Sequence, residues 1–521
     1  MSSPDLATWI VAVCPLLLLL VLVVLPRTKA GTAAGIATAI GAVLAWQQFG
    51  ATADVLAPAV GKGIWLGVWI SYVIAPALLL YHIATVAGIH RVESILESIS
   101  NHRLEHLLIV AWLMPSLIQG VAGFGAPIAL TAPLLVGMGY SVVKAVAYPL
   151  LGYCWSVTFG SMASSFYMAS VTAHLTTQQT TMLALKASLL LACVALASGS
   201  LLCLIESGFS GLRRTFPFIL LIGIPMGLAL IGVAIIVPAM ATVAAAATGT
   251  FVAAVSGLYR KRRAGRVPED TSRSEAPMSE GLAVLAPYGA LLIVALPVFL
   301  IPASGNWVRN HLTLGFDFPA SHTSQGWANA ARPDYTPLAL LGHPGSYILF
   351  ACAVAYFVYR RFGLWDDTRL RDVLVTWSVS LPAAVLPVIT LTTFAAILSD
   401  SGMTSVIARG FITAFGGLYP MLAPSVGAIG SFTSGSSTSS NALMSGLQSE
   451  AATLLGLPNT TLLAAQTAGA NIGNSLSPVV ILVGASAVGA TDQVRNILRQ
   501  CLPSALLLLA LVTVLTVLML E

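Results

Sequence analysis

Long apolar runs recur along this chain from about residue 9 to residue 520, and they decide what it can fold into. Runs of about 18 or more apolar residues are long enough to span a bilayer. In lipid every backbone N–H and C=O must be satisfied internally, which leaves helices or closed barrels. The short alternating segments of a barrel are absent. Charged residues make up 8% of the 521 and hydrophobic ones 57%, whereas a soluble domain carries about a quarter charged residues. The expected fold is an all-α polytopic membrane protein with about twelve transmembrane helices.

Spans are expected near Trp9–Leu25, Gly31–Phe49, Ile64–Thr85, Met182–Ile205, Phe216–Val237, Pro238–Leu258, Leu282–Ile301, Gly345–Tyr359, Val373–Leu398 and Cys501–Leu520, with further spans among the shorter apolar segments. His90–His106 alternates charged and apolar residues as a surface-lying helix does. Ser170–Thr181 reads as a polar loop. Residues 259–280 form a basic linker between an N-terminal transmembrane repeat, 1–258, and a C-terminal one, 281–521. Within the second repeat, Pro302–His343 is a long polar loop with aromatic residues, expected outside the cell.

The net charge of +5 lies in loops and speaks of topology, not of nucleic acid. Arg27/Lys29, Arg213/Arg214, Arg260–Arg266, Arg360–Arg371 and Arg495/Arg499 can all be cytoplasmic together, which leaves both termini extracytoplasmic. Asp5 precedes the first apolar run with no basic residue, unlike a cleaved signal peptide. Six scattered cysteines without CxxC spacing or a His/Cys cluster predict no metal site and no disulfide framework.

Against this apolar background, Gly430–Asn441 is small, polar and uncharged. An unsatisfied polar group in hydrocarbon costs about 2–7 kcal/mol, so the stretch must be buried in protein or line a wet cavity. A surface loop is the alternative, but Leu418–Ile429 and Ala442–Leu447 are apolar on either side. Three more such patches occur: 119–127, 160–165 and 469–478. Gly160 follows Gly123 by 37 residues and Gly473 follows Gly435 by 38. Paired breaks at matching places in two halves point to a transporter built of inverted repeats with re-entrant hairpins. The plainer reading, that Gly and Ser line tight helix contacts, is weaker for four patches in register than for one.

No Walker loop, Ser-His-Asp set or His-Glu-x-x-His motif is present, so the chain reads as no enzyme and no ATP-driven pump, with no cofactor. Half-helix N-termini hold a small anion without Arg or Lys, and Ser434, Ser436, Ser437, Thr438 and Asn441 add hydrogen bonds. Opposite half-helix carbonyls, with Asn471 and Asn474, offer oxygen ligands to Na⁺. Asp400, after an apolar span, is either a proton or ion carrier or an interfacial cap. Glu450 reads as a solvated helix face, Lys144 and Lys186 as snorkelling side chains, Glu206 as interfacial and His174 as incidental.

Gly120–Ala129 with Ala132–Gly139, Thr433–Leu443 and Gly473–Pro478 together resemble the signatures of the L-lactate permease family. That resemblance implies uptake of lactate, glycolate and related 2-hydroxy monocarboxylates, commonly with H⁺, through a fold like that of the ion-transporter superfamily. The family pattern has an acidic residue at Gln119, an Asp at Ser436 and a Lys at Asn474; here all three are neutral. The loss removes titratable groups from the breaks and leaves Asp400 as the carboxylate able to carry a proton.

The expectation is a secondary active transporter of the bacterial plasma membrane for a small organic acid, coupled to H⁺ or Na⁺. Gln119, Gly123, Phe124, Gly125, Ser434, Gly435, Ser436, Ser437, Thr438 and Asn441 are the candidate substrate residues; Asp400, Asn471, Asn474 and Ser477 are the candidate coupling residues. A carrier for another or neutral solute, a non-transporting membrane subunit and a homo-oligomer remain open.

Overall fold

A computed structural model describes residues 5–24, 30–87, 102–121, 126–263, 283, 286–287, 290, 293–294, 298, 301–366 and 369–520. The helices are α1 Leu6–Val24, α2 Ala30–Phe49, α3 Ala53–Val86, α4 Arg103–Leu108, α5 Met114–Val121, α6 Ala126–Gly137, α7 Val142–Gly152, α8 Gly160–Thr172, α9 Thr177–Ile236 and α10 Ala241–Arg263. After a short α11, Pro302–Asn310, come α12 Pro344–Arg361, α13 Arg369–Asp400, α14 Met403–Phe415, α15 Tyr419–Ser434, α16 Ser437–Leu455, α17 Asn459–Leu476, α18 Pro478–Ala487 and α19 Val494–Leu518. Most of the expected linker 259–280, most of the expected span Leu282–Ile301 and most of the expected surface helix His90–His106 lie outside the described residues.

Among the described residues six helices are long and apolar enough to cross a membrane, or eight if each of two bent helix pairs is one span. Their outward faces are hydrocarbon: Leu228 is 65% exposed and Val379 74%. Such faces need lipid, not water, around them.

One local reading is corrected. Ser170–Thr181 is not a loop: α8 runs to Thr172 and α9 starts at Thr177. Thr176 caps α9 by accepting from the Gln179 N–H, and the Gln179 side chain accepts from the Thr176 N–H. That capping box satisfies exposed amides and lets polar residues begin a helix. The expected spans Met182–Ile205 and Phe216–Val237 are two helices within α9, parted where Gly208 takes φ 65°, and they pack on each other, Leu196 lying against Gly223 and Ala192 against Gly227. Lys144 and Glu206, expected as a snorkelling and an interfacial side chain, are paired. Glu206 accepts from Lys144 at 2.8 Å, Tyr148 at 2.8 Å and Arg103 at 3.3 Å.

The membrane part is helical as expected, and the segment expected as a long polar loop is itself folded. The polar segment after α11 carries β1 Thr313–Phe318, β2 Ser321–His322, β3 Ala328–Asn329 and β4 Arg332–Ala339. β1 pairs antiparallel with β4, from Thr313 opposite Ala339 to Phe318 opposite Arg332, and β2 pairs with β3. The insert is fastened to the helices: the Trp65 indole donates to the Tyr335 carbonyl at 2.9 Å, and Ser324 N–H donates to the Gly50 carbonyl at 2.9 Å.

Candidate functional site

Helix breaks build the site. α15 stops because Gly435 enters the left-handed region at φ 68°, and its N–H closes the helix on the Ser431 carbonyl at 2.8 Å. A side chain at 435 would be strained there and would press on Val479. Ser436 then caps α16, accepting from Ser439 N–H at 3.2 Å. The hydroxyl-rich stretch 430–441 is therefore helical except at Gly435 and Ser436, a tighter break than its composition suggests.

A matching break separates α17 from α18, which bend by 43° at Ser477, with Pro478 opening the second helix. Pro at a first helical position loses no bond, since that N–H has no intrahelical partner. Between α7 and α8 the chain bends by 54°. There Ser161, Met162 and Ala163 all take left-handed φ, 47°, 57° and 59°. Non-glycine residues resist that region by roughly 1–2 kcal/mol each, so the surrounding packing must hold them. The candidate residues Gly123, Phe124 and Gly125 lie outside the described residues.

Side chains from these breaks meet. Gln119, Ser161, Ser164, Gly435, Ser436, Ser437, Thr438 and Asn474 line one cavity of about 420 Å³, closed by Leu78, Tyr153, Ser380 and a wall of valines and alanines. Among the described residues none of those lining it is charged. Asn474 bridges two breaks, donating to the Gly435 carbonyl at 2.9 Å and accepting from the Tyr153 hydroxyl at 3.2 Å. The Ser164 and Thr438 hydroxyls join a third at 3.3 Å. Gln119 packs on Gly160, where a Cβ would lie 2.8 Å from its amide nitrogen.

Other candidates lie behind this wall. The Asn441 amide donates to the Ser165 carbonyl and the Thr467 hydroxyl, both at 2.8 Å, and accepts from Gln466 at 2.7 Å. Asn471 accepts from Thr158 at 2.8 Å and donates to the Trp155 carbonyl at 3.3 Å. Both asparagines are fully buried, and these bonds tie α16 and α17 to the α7–α8 break. The Ser434 hydroxyl turns back to the Gly430 carbonyl at 2.8 Å. The Ser477 and Ser431 hydroxyls are buried without a partner. Tight packing also claims its share: a Cβ on Gly469 would fall 1.9 Å from the Pro424 carbonyl oxygen, and one on Gly427 1.9 Å from that of Gln466. Those glycines let α15 and α17 cross in backbone contact.

Asp400 is not at this cavity. It ends α13 in an ion pair with Lys62 of α3, 2.9 Å apart, with side chains 12% and 6% exposed. The sequence reading missed Lys62 because it began the span at Ile64; the signal was one lysine inside an otherwise apolar stretch that extends back to Val55. It also missed Tyr153, Thr158 and Thr467, which carry no motif.

A family profile described as L-lactate permease matches residues 8–521. The glycolate permease GlcA of Escherichia coli is 24% identical over 550 aligned positions, covering 98% of this chain and 95% of its own. An L-lactate permease of Salmonella typhi is 24% identical with the same coverage of both chains, and one of Escherichia coli is 25% identical over 88% of this chain and 85% of its own. Among solved structures the chain is similar to the YdaH transporter of Alcanivorax borkumensis, at 15% identity and a TM-score of 0.41, covering 99% and 98% of the two chains. With the match running from residue 8 to the last, this chain belongs to the L-lactate permease family: it is a multi-pass membrane permease and not an enzyme.

Proposed function

We propose that the chain is a secondary active transporter of the bacterial plasma membrane for small 2-hydroxy monocarboxylates such as L-lactate or glycolate. The observation that carries this reading is the convergence of the helix breaks on one polar, uncharged cavity in a chain whose relatives are named for L-lactate and glycolate. A carboxylate lies at the N-terminus of α16, where the first N–H groups of the helix have no intrahelical partner and the dipole is positive. Ser437, Thr438, Ser164 and Gln119 supply hydrogen bonds to the substrate oxygens, and Gly435 and Ser436 shape the approach.

The coupling ion is H⁺ or Na⁺. Asp400 is the carboxylate available to a proton. Asn474, Asn471 and the partnerless Ser477 hydroxyl are the oxygens available to Na⁺ at the α17–α18 break. The halves 1–258 and 281–521 act as two repeats whose breaks move relative to a scaffold, in alternating access. Both termini lie outside the cell.

A second reading, a neutral solute, is favoured by the absence of charge around the cavity. Uptake of radiolabelled L-lactate into proteoliposomes, with H⁺ and Na⁺ gradients imposed separately, tests both. Uptake driven by either gradient and not competed by lactamide supports the monocarboxylate reading. No uptake under either gradient, or equal competition by lactamide, favours the neutral solute.

A further inference from the structure

A second cavity, of about 370 Å³, lies along the same three helices as the uncharged one. α3 gives Leu78 to the uncharged cavity and Lys62 to this one; α13 gives Ala384 to the first and Asp400 to the second. α16 gives Thr438 to the first and Leu443 to the second, an offset of about 7.5 Å along the helix. The β-insert roofs the second cavity with Asn329, Arg332 and Tyr335.

The charges there are unbalanced. Lys62 and Arg332 are cationic, Asp400 is the one acid among the described lining residues, and His174 from the α8–α9 turn stands with its ring 5.4 Å from that of Tyr335. Asn329 donates to the main-chain carbonyl of Asp400 at 2.8 Å, not to its carboxylate. Trp327 also lines the cavity, and its indole N–H is buried without an acceptor. An excess of positive charge, in a cavity whose walls come from the same helices as the uncharged one, describes a receiving site for a small monoanion.

We propose that this cavity is an outer carboxylate-binding vestibule, in which Arg332 and Lys62 take the substrate carboxylate before it reaches the uncharged cavity, the carboxylate replacing Asp400 at Lys62. The proposal rests on the monocarboxylate reading. It explains how a site without a cation still selects an anion: selection is made one step earlier, under the insert. The carboxylate chemistry fits a two-oxygen acceptor bridging a guanidinium and an ammonium.

The test uses the full chain in proteoliposomes with Cys14→Ser and Cys193→Ser, which remove the exposed thiols, and Ala330→Cys as a reporter on the exposed lip of the cavity. The rate of alkylation by neutral N-ethylmaleimide is read with L-lactate, lactamide or chloride present. L-Lactate is expected to slow labelling several-fold, lactamide and chloride not at all. The slowing persists when Ser437→Leu blocks the uncharged cavity. It disappears in Arg332→Gln, an exposed side chain whose loss does not threaten folding, and in the neutral pair Lys62→Gln/Asp400→Asn. Arg332→Gln also raises KM for uptake about tenfold with kcat little changed. No slowing by L-lactate, equal slowing by lactamide or chloride, or slowing lost with Ser437→Leu alone overturns the vestibule. If L-lactate slows labelling but is never taken up, the vestibule stands and the transport reading falls.

Discussion

At the scale of single residues, burial makes each amide and hydroxyl near the breaks consequential. Asn441 satisfies Ser165, Thr467 and Gln466 at once, and Gln466 is itself fully buried. Asn441→Ala strands those partners, each at about 1–3 kcal/mol. We expect a lower thermal midpoint in detergent and loss of uptake; an unchanged midpoint would show that the network carries no stability. Two histidines outside the spanning segments make a pH prediction. Burial, with the charges of Arg332 and Lys62, pushes His174 down to about 4, and burial pushes His343 down to about 3. Their folded values lie below the usual 6.5, so the unfolded chain binds more protons at acid pH. Stability from these residues is full above about pH 6.5 and falls as pH drops toward 4 and then 3. The thermal midpoint should therefore decline between pH 7 and pH 4, and His174→Gln should flatten the decline.

At the scale of elements, the breaks follow different physics, and that decided which of them could be read in advance. Gly435 and Ser477–Pro478 break helices by residue type, so their places were legible in the sequence. The left-handed run Ser161–Ala163 has no such signal: tertiary packing holds ordinary residues where glycine is usual. Ala163→Gly should raise stability by about 1 kcal/mol, the opposite of its effect within a regular helix; a fall in midpoint would contradict the left-handed geometry. The α15–α17 crossing predicts the converse. Gly469→Val places atoms on the Pro424 carbonyl and should prevent folding, whereas Gly232→Ala in α9, with nothing within 4 Å of the new Cβ, should stabilise by up to about 1 kcal/mol. Yields and midpoints of the two purified variants check the pair. The reading that small residues pack helices and the reading that they break them were both needed: Gly469 does the first and Gly435 the second.

For the whole molecule, hydropathy gave the class, and four small-residue patches gave the regions that converge. What hydropathy could not give was the partner of a distant charge. Lys62 and Asp400 are 338 residues apart, and each alone looks like a residue at the end of a span. Likewise the polar segment after α11 has no membrane-grade pattern to place it, and only the fold brings Arg332 and Asn329 over that ion pair. The resulting account has a charged outer cavity and an uncharged inner one in series along α3, α13 and α16, joined to a family of permeases.

The most direct measurement is L-lactate uptake by proteoliposomes carrying the native chain, Ser437→Leu or Gly435→Leu, with each protein shown to be folded and inserted. The account predicts saturable uptake by the native chain and none by either variant, because both substitutions fill or distort the place where the breaks meet. Uptake unchanged in both variants would contradict it and remove the uncharged cavity from the transport path.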